Sequence, residues 1–428
     1  MSLLIKNAII VNADGEAKAP QDILIEKGVI VKIGAKISPD AKKVLDVKGR
    51  TVLPGLIDLH THLREPGFEE KETIATGARA AAKGGFTSVF CMPNTRPPLD
   101  SAKVIEAVVA EARRVGLVNV FPVGAVTKEQ RGSEMVDMFE LKGCGCLALS
   151  DDGTAVENSQ IMLQALKYAQ MAGLLVMDHC QDRLLSGKGV MNEGFYSTVL
   201  GMRGDPAPAE TVIVARDIEL ARYLKTRVHL QHISLERSCE LIRFAKSQGV
   251  AVTAECTPHH FSLTEEAVRD FNADAKVNPP LRRQEDVDAL KAALADGTID
   301  CIATDHAPHT QEDKELGFDA APPGISGLET AFGLAVTGLL QQKVLTLVQL
   351  AARMSAEPAR IVGFKKKGWV REGFDADVTV VDAEESWEVR REDFVSKGRN
   401  SPFFGRSLKG RVQATVCGGK VVFERECQ

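Results

Sequence analysis

The chain lacks the features that mark membrane, secreted and nucleic-acid-binding proteins. None of its apolar runs is long enough to span a bilayer, and its first residues carry neither a basic segment nor an extended apolar stretch of the signal-peptide type. Its formal net charge of −5 is small for 428 residues, and no long basic block indicates a nucleic-acid or membrane-surface partner. These absences predict a soluble, cytoplasmic protein that binds neither nucleic acid nor membrane.

Paired cysteines are missing too. The nine cysteines form no Cys-x-x-Cys pair and no dense framework, which argues against a disulfide-stabilised scaffold and a zinc knuckle. What remains is an ordinary globular composition, with 44% hydrophobic and 26% charged residues. A chain of this length is expected to bury one large core and to form a smaller companion domain.

Both ends of the chain are rich in short apolar runs separated by turn residues. Residues 1–52 have breaks at Asp14-Gly15 and Lys27-Gly28, and residues 366–428 repeat the pattern and include a hairpin signal at Gly418-Gly419. Because domain termini commonly lie close together, we expect the two segments to pair into one small β-sandwich domain.

The segment 53–365 alternates short apolar strands with amphipathic helical stretches. Candidate strands cover residues 56–62, 86–92, 117–124, 145–150, 174–179, 227–232, 250–255 and 299–304. Candidate helices cover residues 72–83, 101–114, 129–141, 157–171, 209–225, 235–247, 285–294 and 325–340. Eight such repeats predict an α/β protein with a (β/α)8 TIM barrel as its catalytic domain. A doubly wound open sheet is the alternative, and it would gather ligands at one strand crossover instead of around a ring.

Histidines and aspartates follow the predicted strand ends. His60 and His62 end the first strand, and residues i and i+2 of a strand point to the same face, so both imidazoles are aimed at one spot. Two surface histidines beside a turn are the alternative for this motif alone. Further candidates follow the fourth, fifth, sixth and eighth strands: Asp151, Asp152, His179, His232, Asp305, His306 and His309.

The number of candidates favours two metal ions over one. Active sites of such barrels lie at the C-terminal ends of the strands, so these side chains share one rim. They exceed the three protein ligands of a single catalytic zinc and suit two ions bridged by a carboxylate. Asp151 and Asp152 remain equal candidates for the bridge, because the two-residue period no longer applies once the chain leaves the strand.

Several segments together resemble those of bacterial dihydroorotases, in the cyclic-amide branch of the amidohydrolase superfamily. They are residues 60–67 (His-Thr-His-Leu-Arg-Glu-Pro-Gly), 92–95 (Met-Pro-Asn-Thr), 150–153 (Ser-Asp-Asp-Gly), 257–260, 277–282, 305–309 and 400–403. The resemblance implies reversible, zinc-dependent hydrolysis of dihydroorotate to N-carbamoyl-L-aspartate, a step of pyrimidine biosynthesis.

The resemblance also implies residue roles. Two zinc ions would be held by His60, His62, Asp152, His179, His232 and Asp305. Asp152 would bridge the ions, and Asp305 would accept and return the catalytic proton. The implied substrate ligands are Arg64, Asn94, Asn278, His309, Pro323 and Gly324. His259 and His260 match the family but are assigned to neither ion.

Alternatives remain for three of the substrate ligands. Arg64 offers a bidentate fork for the substrate carboxylate, and a surface salt bridge with Glu65 or Glu69 is its alternative. Asn278 is interpreted as a partner of the ring amide, although an ordinary turn residue also fits its place. Pro323 stands where the family usually has an aromatic residue, so only a backbone contact is expected there.

Two related functions compete with this interpretation. Hydantoinases and dihydropyrimidinases bridge their metals with a carboxylated lysine at the end of the fourth strand, where this chain has Ser150-Asp151-Asp152, and Lys142 comes too early. A non-catalytic relative that scaffolds aspartate carbamoyltransferase would be free to lose ligands, and this chain keeps all six. The family also implies a homodimer, and residues 310–322 are expected to form a mobile rim over the site.

Overall fold

The middle of the chain forms a nearly closed barrel of eight parallel strands. In the computed structural model, which describes residues 2–37 and 41–426, each barrel strand pairs with the next one along the chain. Their bounds are Leu56–Thr61, Phe86–Cys91, Asn119–Gly124, Ala148–Leu149, Leu175–Asp178, Val228–Leu230, Val252–Cys256 and Cys301–Ile302. The His62 N–H donates to the His306 carbonyl over 2.8 Å and joins the first strand to the segment after the eighth. The predicted barrel is confirmed and the doubly wound sheet is wrong, because the strand order never reverses.

Helices follow the strands on the outside of the barrel. Their bounds are Ile74–Lys83, Ala102–Val115, Met138–Gly143, Ser159–Ala172, Pro208–Leu224, Glu236–Ser247, Gln284–Asp296 and Ala331–Ala335, the last continued by a π-helix over Val336–Leu340. The helix predicted over residues 129–141 is wrong over most of its length. It begins only at Met138, because the Asp137 side chain accepts hydrogen bonds from the N–H groups of Phe139 and Glu140 and caps the helix there.

Shorter elements lie in the connections. They are the helices Arg183–Ser186, Phe195–Leu200, Gln311–Lys314, Leu347–Ala351, Ala352–Ala356 (a π-helix) and Glu357–Ile361, the 3-10 turns Lys128–Gln130, Glu265–Val268, Ala273–Ala275 and Arg391–Asp393, and the paired strands Met191–Asn192 and Gly204–Asp205. Among the described residues, no helix has both the length and the apolar character needed to cross a membrane. The eight described cysteines are free thiols, and Cys427 lies outside the described residues.

Both ends of the chain contribute to a second, nine-stranded mixed sheet. Its strands are Ser2–Asn12, Gly15–Glu16, Gln21–Glu26, Val29–Gly34, Lys43–Asp46, Thr51–Pro54, Val378–Glu388, Ser407–Cys417 and Lys420–Glu424. Thr51–Pro54 pairs with the start of Val378–Glu388, so the N-terminal and C-terminal segments share one sheet with its own buried core, as predicted. The expected hairpin turns at Gly418 and Gly419, whose φ angles of 54° and 74° favour glycine.

Side chains of the barrel strands alternate between two apolar clusters. Val89, Cys91 and Val176 pack against the surrounding helices. Phe90 and Met177, each next to one of them in sequence, belong to a separate cluster inside the barrel. This packing on both faces makes the strands rigid supports for the side chains at their C-terminal ends.

Candidate metal centre and active site

Six polar side chains from five strand ends meet at the C-terminal rim of the barrel. They are His60, His62, Asp152, His179, His232 and Asp305, and none is more than 6% exposed. All six predicted metal ligands are therefore brought together, although up to 245 positions separate them along the chain. Burial of so many ionisable groups in one place calls for a compensating charge.

The Asp152 carboxylate lies between the imidazoles. Its Oδ1 is 3.2 Å from Nε2 of His60, 3.5 Å from Nδ1 of His179 and 3.7 Å from Nε2 of His232. Its Oδ2 is 3.5 Å from Nε2 of His62. The two oxygens thus face different histidines, which is the arrangement that a bridging carboxylate requires.

Asp151 points away from this centre. Its Oδ1 accepts hydrogen bonds from the N–H groups of Val126 (2.8 Å) and Thr127 (3.1 Å), and its Oδ2 accepts one from the Thr127 hydroxyl. Asp151 therefore holds the loop after the third strand, and of the two neighbouring aspartates Asp152 is the one in contact with the imidazoles.

Asp305 lies on the side of the centre formed by the first strand. Its Oδ1 is 3.1 Å from Nε2 of His62 and 3.5 Å from Nε2 of His60. Asp305 and His232 both have positive φ angles, 46° and 31°, in a region that side chains other than glycine rarely adopt. Such backbone strain at two site residues is typical of functional positions that the surrounding fold holds in place.

The chemistry of the donors fits divalent metal ions. Nε2 of His60 is buried without a hydrogen-bond partner of acceptable geometry, and Nδ1 of His179 lies only 2.8 Å from Nε2 of His232. Burial alone would lower the pKa of His60, but the carboxylates of Asp152 and Asp305 raise it well above its ordinary value. The rim thus favours positive charge at its centre, and imidazole nitrogens with carboxylate oxygens are ligands that suit zinc.

Partners behind the ligands fix the orientation of two imidazoles. Nδ1 of His60 lies 2.8 Å from Oε1 of Glu255, and Nδ1 of His62 lies 2.8 Å from Oδ1 of Asn94. The Asn94 amide also donates to Oδ2 of Asp152 over 3.2 Å. Because these contacts occupy Nδ1 of both imidazoles, Nε2 of each is directed at the centre. Asn94, predicted as a substrate ligand, therefore has both polar atoms in contact with metal-ligand candidates.

Glu255 and His229 were missed by the sequence analysis. Oε2 of Glu255 lies 3.1 Å from Nε2 of His229, and Nδ1 of His229 lies 2.9 Å from the Thr253 hydroxyl. Burial alone would raise the pKa of Glu255, but His229 and His60 lower it to about 2. The two-residue period offered a signal, because Thr253 and Glu255 lie on one face of the seventh strand.

His179 directs Nδ1 at the centre, whereas the other three histidines direct Nε2, and its contact with Gln181 explains the difference. Oε1 of Gln181 lies 3.2 Å from Nε2 of His179, while its amide nitrogen donates to Asn278 and Asp205, both over 2.8 Å. The carbonyl end of the amide therefore faces the imidazole and holds the proton on Nε2, leaving the Nδ1 lone pair for the centre. Gln181 connects a metal-ligand candidate with the predicted substrate ligand Asn278, and the sequence analysis did not identify it.

Asp58 ties the first strand to the eighth beneath the site. Its Oδ1 accepts from the N–H groups of His60 (3.1 Å) and Thr304 (3.0 Å), and its Oδ2 accepts from the Thr304 hydroxyl over 2.6 Å. Burial raises the pKa of Asp58 to about 7. These contacts place His60 and the residue after Thr304, Asp305, on a common support. Asp58 lies two residues before His60, a spacing that the sequence analysis did not use.

Arg64 turns inward from the rim. Its Nε donates to the Pro308 carbonyl over 3.2 Å, and its Nη2 lies 3.3 Å from Nε2 of His309. Arg64 forms neither of the alternative salt bridges. The Glu65 carboxylate accepts a hydrogen bond from the N–H of residue 74, at the start of a helix, and the Glu69 carboxylate accepts one from the N–H of residue 67. Burial lowers the pKa of Arg64 to about 10, so the guanidinium remains charged at neutral pH.

The backbone at residues 323 and 324 completes this wall. The Pro323 carbonyl accepts a hydrogen bond from Nε2 of His309 over 3.0 Å. Gly324 has a φ of 146°, and a Cβ added there would lie 2.6 Å from the Ala307 carbonyl oxygen. Only glycine fits this close approach. Burial, aided by the neighbouring Arg64, lowers the pKa of His309 to about 2, so His309 is neutral at the wall.

The remaining histidines of the rim have other contacts. His260 lies between the Thr257 hydroxyl (2.8 Å) and the Pro279 carbonyl (2.9 Å), and Nδ1 of His306 accepts from the N–H of residue 327 over 3.1 Å. Burial lowers the pKa of His259 to about 4. None of the three belongs to the clusters of metal-ligand atoms found among the described residues.

The chain matches two family models and is similar to curated dihydroorotases over nearly its full length. A family model described as dihydro-orotase-like matches residues 49–238, and one described as amidohydrolase family matches residues 222–423. The dihydroorotase of Pelotomaculum thermopropionicum is 51% identical over 424 residues, covering 99% of each chain. That of Caldanaerobacter subterraneus is 49% identical over 426 residues, covering 99% of this chain and 98% of the relative.

Solved structures of hydantoinases share the fold. The L-hydantoinase (dihydropyrimidinase) of Arthrobacter aurescens is 24% identical, with a TM-score of 0.88 over 99% of this chain and 96% of its own. The D-hydantoinase (dihydropyrimidinase) of a Thermus species is 26% identical, with a TM-score of 0.85 over 99% and 95% of the two chains.

Proposed function

The chain belongs to the dihydroorotase family of metal-dependent amidohydrolases, and from this premise we propose that it interconverts dihydroorotate and N-carbamoyl-L-aspartate at a two-zinc centre. The observation that carries the proposal is the position of Asp152, whose two oxygens lie 3.2–3.7 Å from four imidazoles. The six metal ligands proposed are those predicted from the sequence.

The bridge separates this function from that of a hydantoinase. A carboxylated lysine would have to reach the centre of the rim, but Lys142 lies in the helix Met138–Gly143 and its Nζ donates to the Gly173 carbonyl over 3.4 Å. Asp152 occupies the central place instead. This contact supports dihydroorotate as the cyclic amide that the chain hydrolyses.

Asp305 is the residue that we assign to proton transfer. When bound, two divalent ions would lower the pKa of water toward neutrality and polarise the amide carbonyl. Burial alone would raise the pKa of Asp305, but His60 and His62 hold it well below its ordinary value, so the carboxylate is ionised at neutral pH. In the hydrolytic direction Asp305 accepts a proton from the attacking water and delivers it to the ring nitrogen as the C–N bond breaks.

Arg64 and its neighbours hold the substrate. The guanidinium presents a planar fork, charged at neutral pH, to the substrate carboxylate, and His309 beside it is neutral and adds no competing charge. The Asn278 amide lies 3.4 Å from His179 and 2.9 Å from Gln181, so it is placed to contact the ring amide next to the metal ligands.

Turnover of three cyclic amides tests the proposed function. We expect the purified protein to hydrolyse dihydroorotate and, in reverse, to cyclise carbamoyl-aspartate, with little activity on hydantoin or dihydrouracil, which lack the carboxylate that Arg64 binds. The products are followed by ultraviolet absorbance and chromatography. Activity on hydantoin or dihydrouracil without activity on dihydroorotate would contradict the assignment.

Replacing Arg64 with lysine tests the carboxylate contact. Lysine keeps the charge but loses the two parallel N–H donors, so we expect KM for dihydroorotate to rise about 10-fold while kcat changes little, which corresponds to about 1.4 kcal/mol of binding. Steady-state kinetics on Arg64→Lys measures both constants. An unchanged KM would exclude Arg64 from carboxylate binding.

The biological setting forms part of the proposal. We place the chain in the cytoplasm, because its described cysteines are free thiols. We place it in pyrimidine biosynthesis because of its dihydroorotase relatives. A homodimer, and association with aspartate carbamoyltransferase, are proposed on the family likeness. Leu184, Phe195 and Val199 are 64–89% exposed on neighbouring short helices and would suit such contacts, which analytical ultracentrifugation with and without the transferase would detect.

A further inference from the structure

A cavity of about 350 Å³ lies beside the active site, and more basic than acidic residues line it. It is bounded by the turn at residues 272–274, the segment 309–315 and the segment 391–400. Its charged lining residues are Lys314, Arg391, Lys397, Arg399, Asp274 and Glu315, and we call it the basic vestibule. The mechanism described above uses none of these six residues.

The basic vestibule shares a wall with the substrate site. His309 lines the cavity, and its Nε2 lies 3.3 Å from Nη2 of Arg64, the proposed carboxylate ligand. Asn400, which also lines the cavity, accepts from the His309 N–H over 2.9 Å and donates to the Gly324 carbonyl over 2.8 Å. An anion in the vestibule is therefore separated from the substrate pocket by one side chain.

The segment expected to be a mobile rim forms one side of this cavity and is held at several points. Nζ of Lys314 donates to the Pro322 carbonyl over 2.9 Å, and Nζ of Lys276 donates to the Phe318 carbonyl over 2.8 Å. Asp313 forms an ion pair with Lys71 at 3.0 Å. These contacts fix the segment that forms one wall of the basic vestibule.

The charges in the vestibule leave an excess of cations. Four basic and two acidic residues line it, and Asp274 lies 3.6 Å from Nη2 of Arg391 and is partly neutralised by it. Nζ of Lys397 donates to the Glu69 carbonyl. Burial lowers the pKa of Lys314 to about 8, so its ammonium group is still largely protonated at neutral pH. Arg391, Lys397 and Arg399 are exposed and connect the cavity to solvent.

The two forms of the proposed substrate differ in charge. Carbamoyl-aspartate carries two carboxylates, whereas ring closure takes up a proton, converts one of them into an amide carbonyl and releases water, so dihydroorotate carries only one. The metal-ligand candidates are at most 6% exposed, so either compound has to leave bulk solvent before it reaches them. A cavity beside the substrate site that is lined by cations attracts the dianion more strongly than the monoanion.

We propose that the basic vestibule is an outer binding site for dicarboxylate anions, which holds carbamoyl-aspartate before it reaches Arg64 and favours it over the cyclic form. This inference rests on the proposed function for the identity of the dianion. Because Coulomb energy is proportional to ligand charge, removing two vestibule cations costs the dianion about twice the energy that it costs the monoanion. A loss of affinity of about 3-fold for dihydroorotate thus corresponds to a loss of affinity of about 10-fold for carbamoyl-aspartate.

The test removes the charges of Arg391 and Arg399 together. Equilibrium dialysis at low ionic strength measures the Kd of each compound on an Asp305→Asn background, in which interconversion is slowed by at least about 10³-fold. Steady-state kinetics on the wild-type background measures kcat/KM in both directions. We expect Arg391→Gln/Arg399→Gln to raise the Kd of carbamoyl-aspartate about 10-fold and that of dihydroorotate about 3-fold, with a shallower dependence on salt. Because the overall equilibrium between the two compounds is fixed, kcat/KM should fall by the same factor in both directions.

Two control proteins separate charge from folding. Arg391→Lys/Arg399→Lys keeps both charges and is expected to behave like the wild type. Arg114→Gln/Arg222→Gln removes two exposed arginines from the last turns of barrel helices, at the opposite end of the barrel, and is expected to leave both ligands unaffected. Equal losses for the two compounds, no binding of carbamoyl-aspartate, or the same pattern in the distant control would overturn the proposal.

The two assays also keep the proposals apart. Failure of the wild type to turn over either compound would contradict the proposed function, whereas the ratio of the two Kd changes would still decide whether the vestibule selects dianions. Turnover with equal Kd changes would leave the function standing and reject the vestibule.

Discussion

Asp305→Asn is expected to lower kcat for dihydroorotate by at least about 10³-fold, because a positioned general base contributes roughly 10²–10⁴-fold and asparagine does not accept the proton. The amide keeps the shape of the side chain and an oxygen toward His62, whose Nε2 lies 3.1 Å from Oδ1 of Asp305. Arg64 is untouched, so dihydroorotate binding should remain measurable. Single-turnover kinetics and equilibrium dialysis separate the two effects.

Asp300 provides the matched control for this variant. It lies immediately before the eighth strand, at the other end from Asp305, and its Oδ2 accepts from the Ala254 N–H (2.9 Å) and from Nζ of Lys246 (2.6 Å). Asp300→Asn should cost stability but leave kcat near the wild-type value. Near-normal turnover by Asp305→Asn would remove Asp305 from its role in proton transfer.

Asp152→Asn is expected to empty at least one of the two proposed metal sites. Burial alone would raise the pKa of Asp152, but His60, His179 and His232 hold it well below its ordinary value, so a full negative charge lies between the imidazoles. Asparagine replaces that charge with a weak neutral ligand. We expect metal content to fall from about two ions per chain to one or none, and turnover to be lost with it. Elemental analysis by mass spectrometry gives the count.

Asp151→Asn is the control that the sequence itself offers. The Asp151 carboxylate is buried like that of Asp152 but binds the N–H groups of Val126 and Thr127. Its replacement should lower the free energy of unfolding by roughly 1–3 kcal/mol and leave the metal content unchanged. Equal metal loss in the two variants would contradict the bridging role of Asp152.

The barrel was predictable from sequence because its signals are local. Short apolar runs mark buried strands, and polar residues at their ends mark the C-terminal rim, which is why His179 and Asp305 were identified without contacts being known. The third helix was predicted nearly 10 residues too early, because its start depends on the Asp137 cap and on the unusual φ of 52° at Glu129, which hydrophobic periodicity does not encode.

The choice between Asp151 and Asp152 lay beyond local reasoning. Both follow the same strand, and what separates them is a loop some 25 positions earlier, whose N–H groups at residues 126 and 127 bind Asp151. The amide pair of Gln181 and Asn278 joins positions 97 apart in the same way. Contacts of this kind arise only when the barrel brings distant loops together, so a sequence pattern predicts the presence of such residues at the rim but not which atoms meet.

The central claim is that Asp152 bridges two divalent ions at this rim. Anomalous X-ray diffraction at the zinc absorption edge, on crystals of the purified protein, tests it most directly. We predict two anomalous peaks about 3.5–4 Å apart, with the Asp152 carboxylate between them, one beside His60 and His62 and the other beside His179 and His232. A single peak, or peaks away from Asp152, would contradict the account.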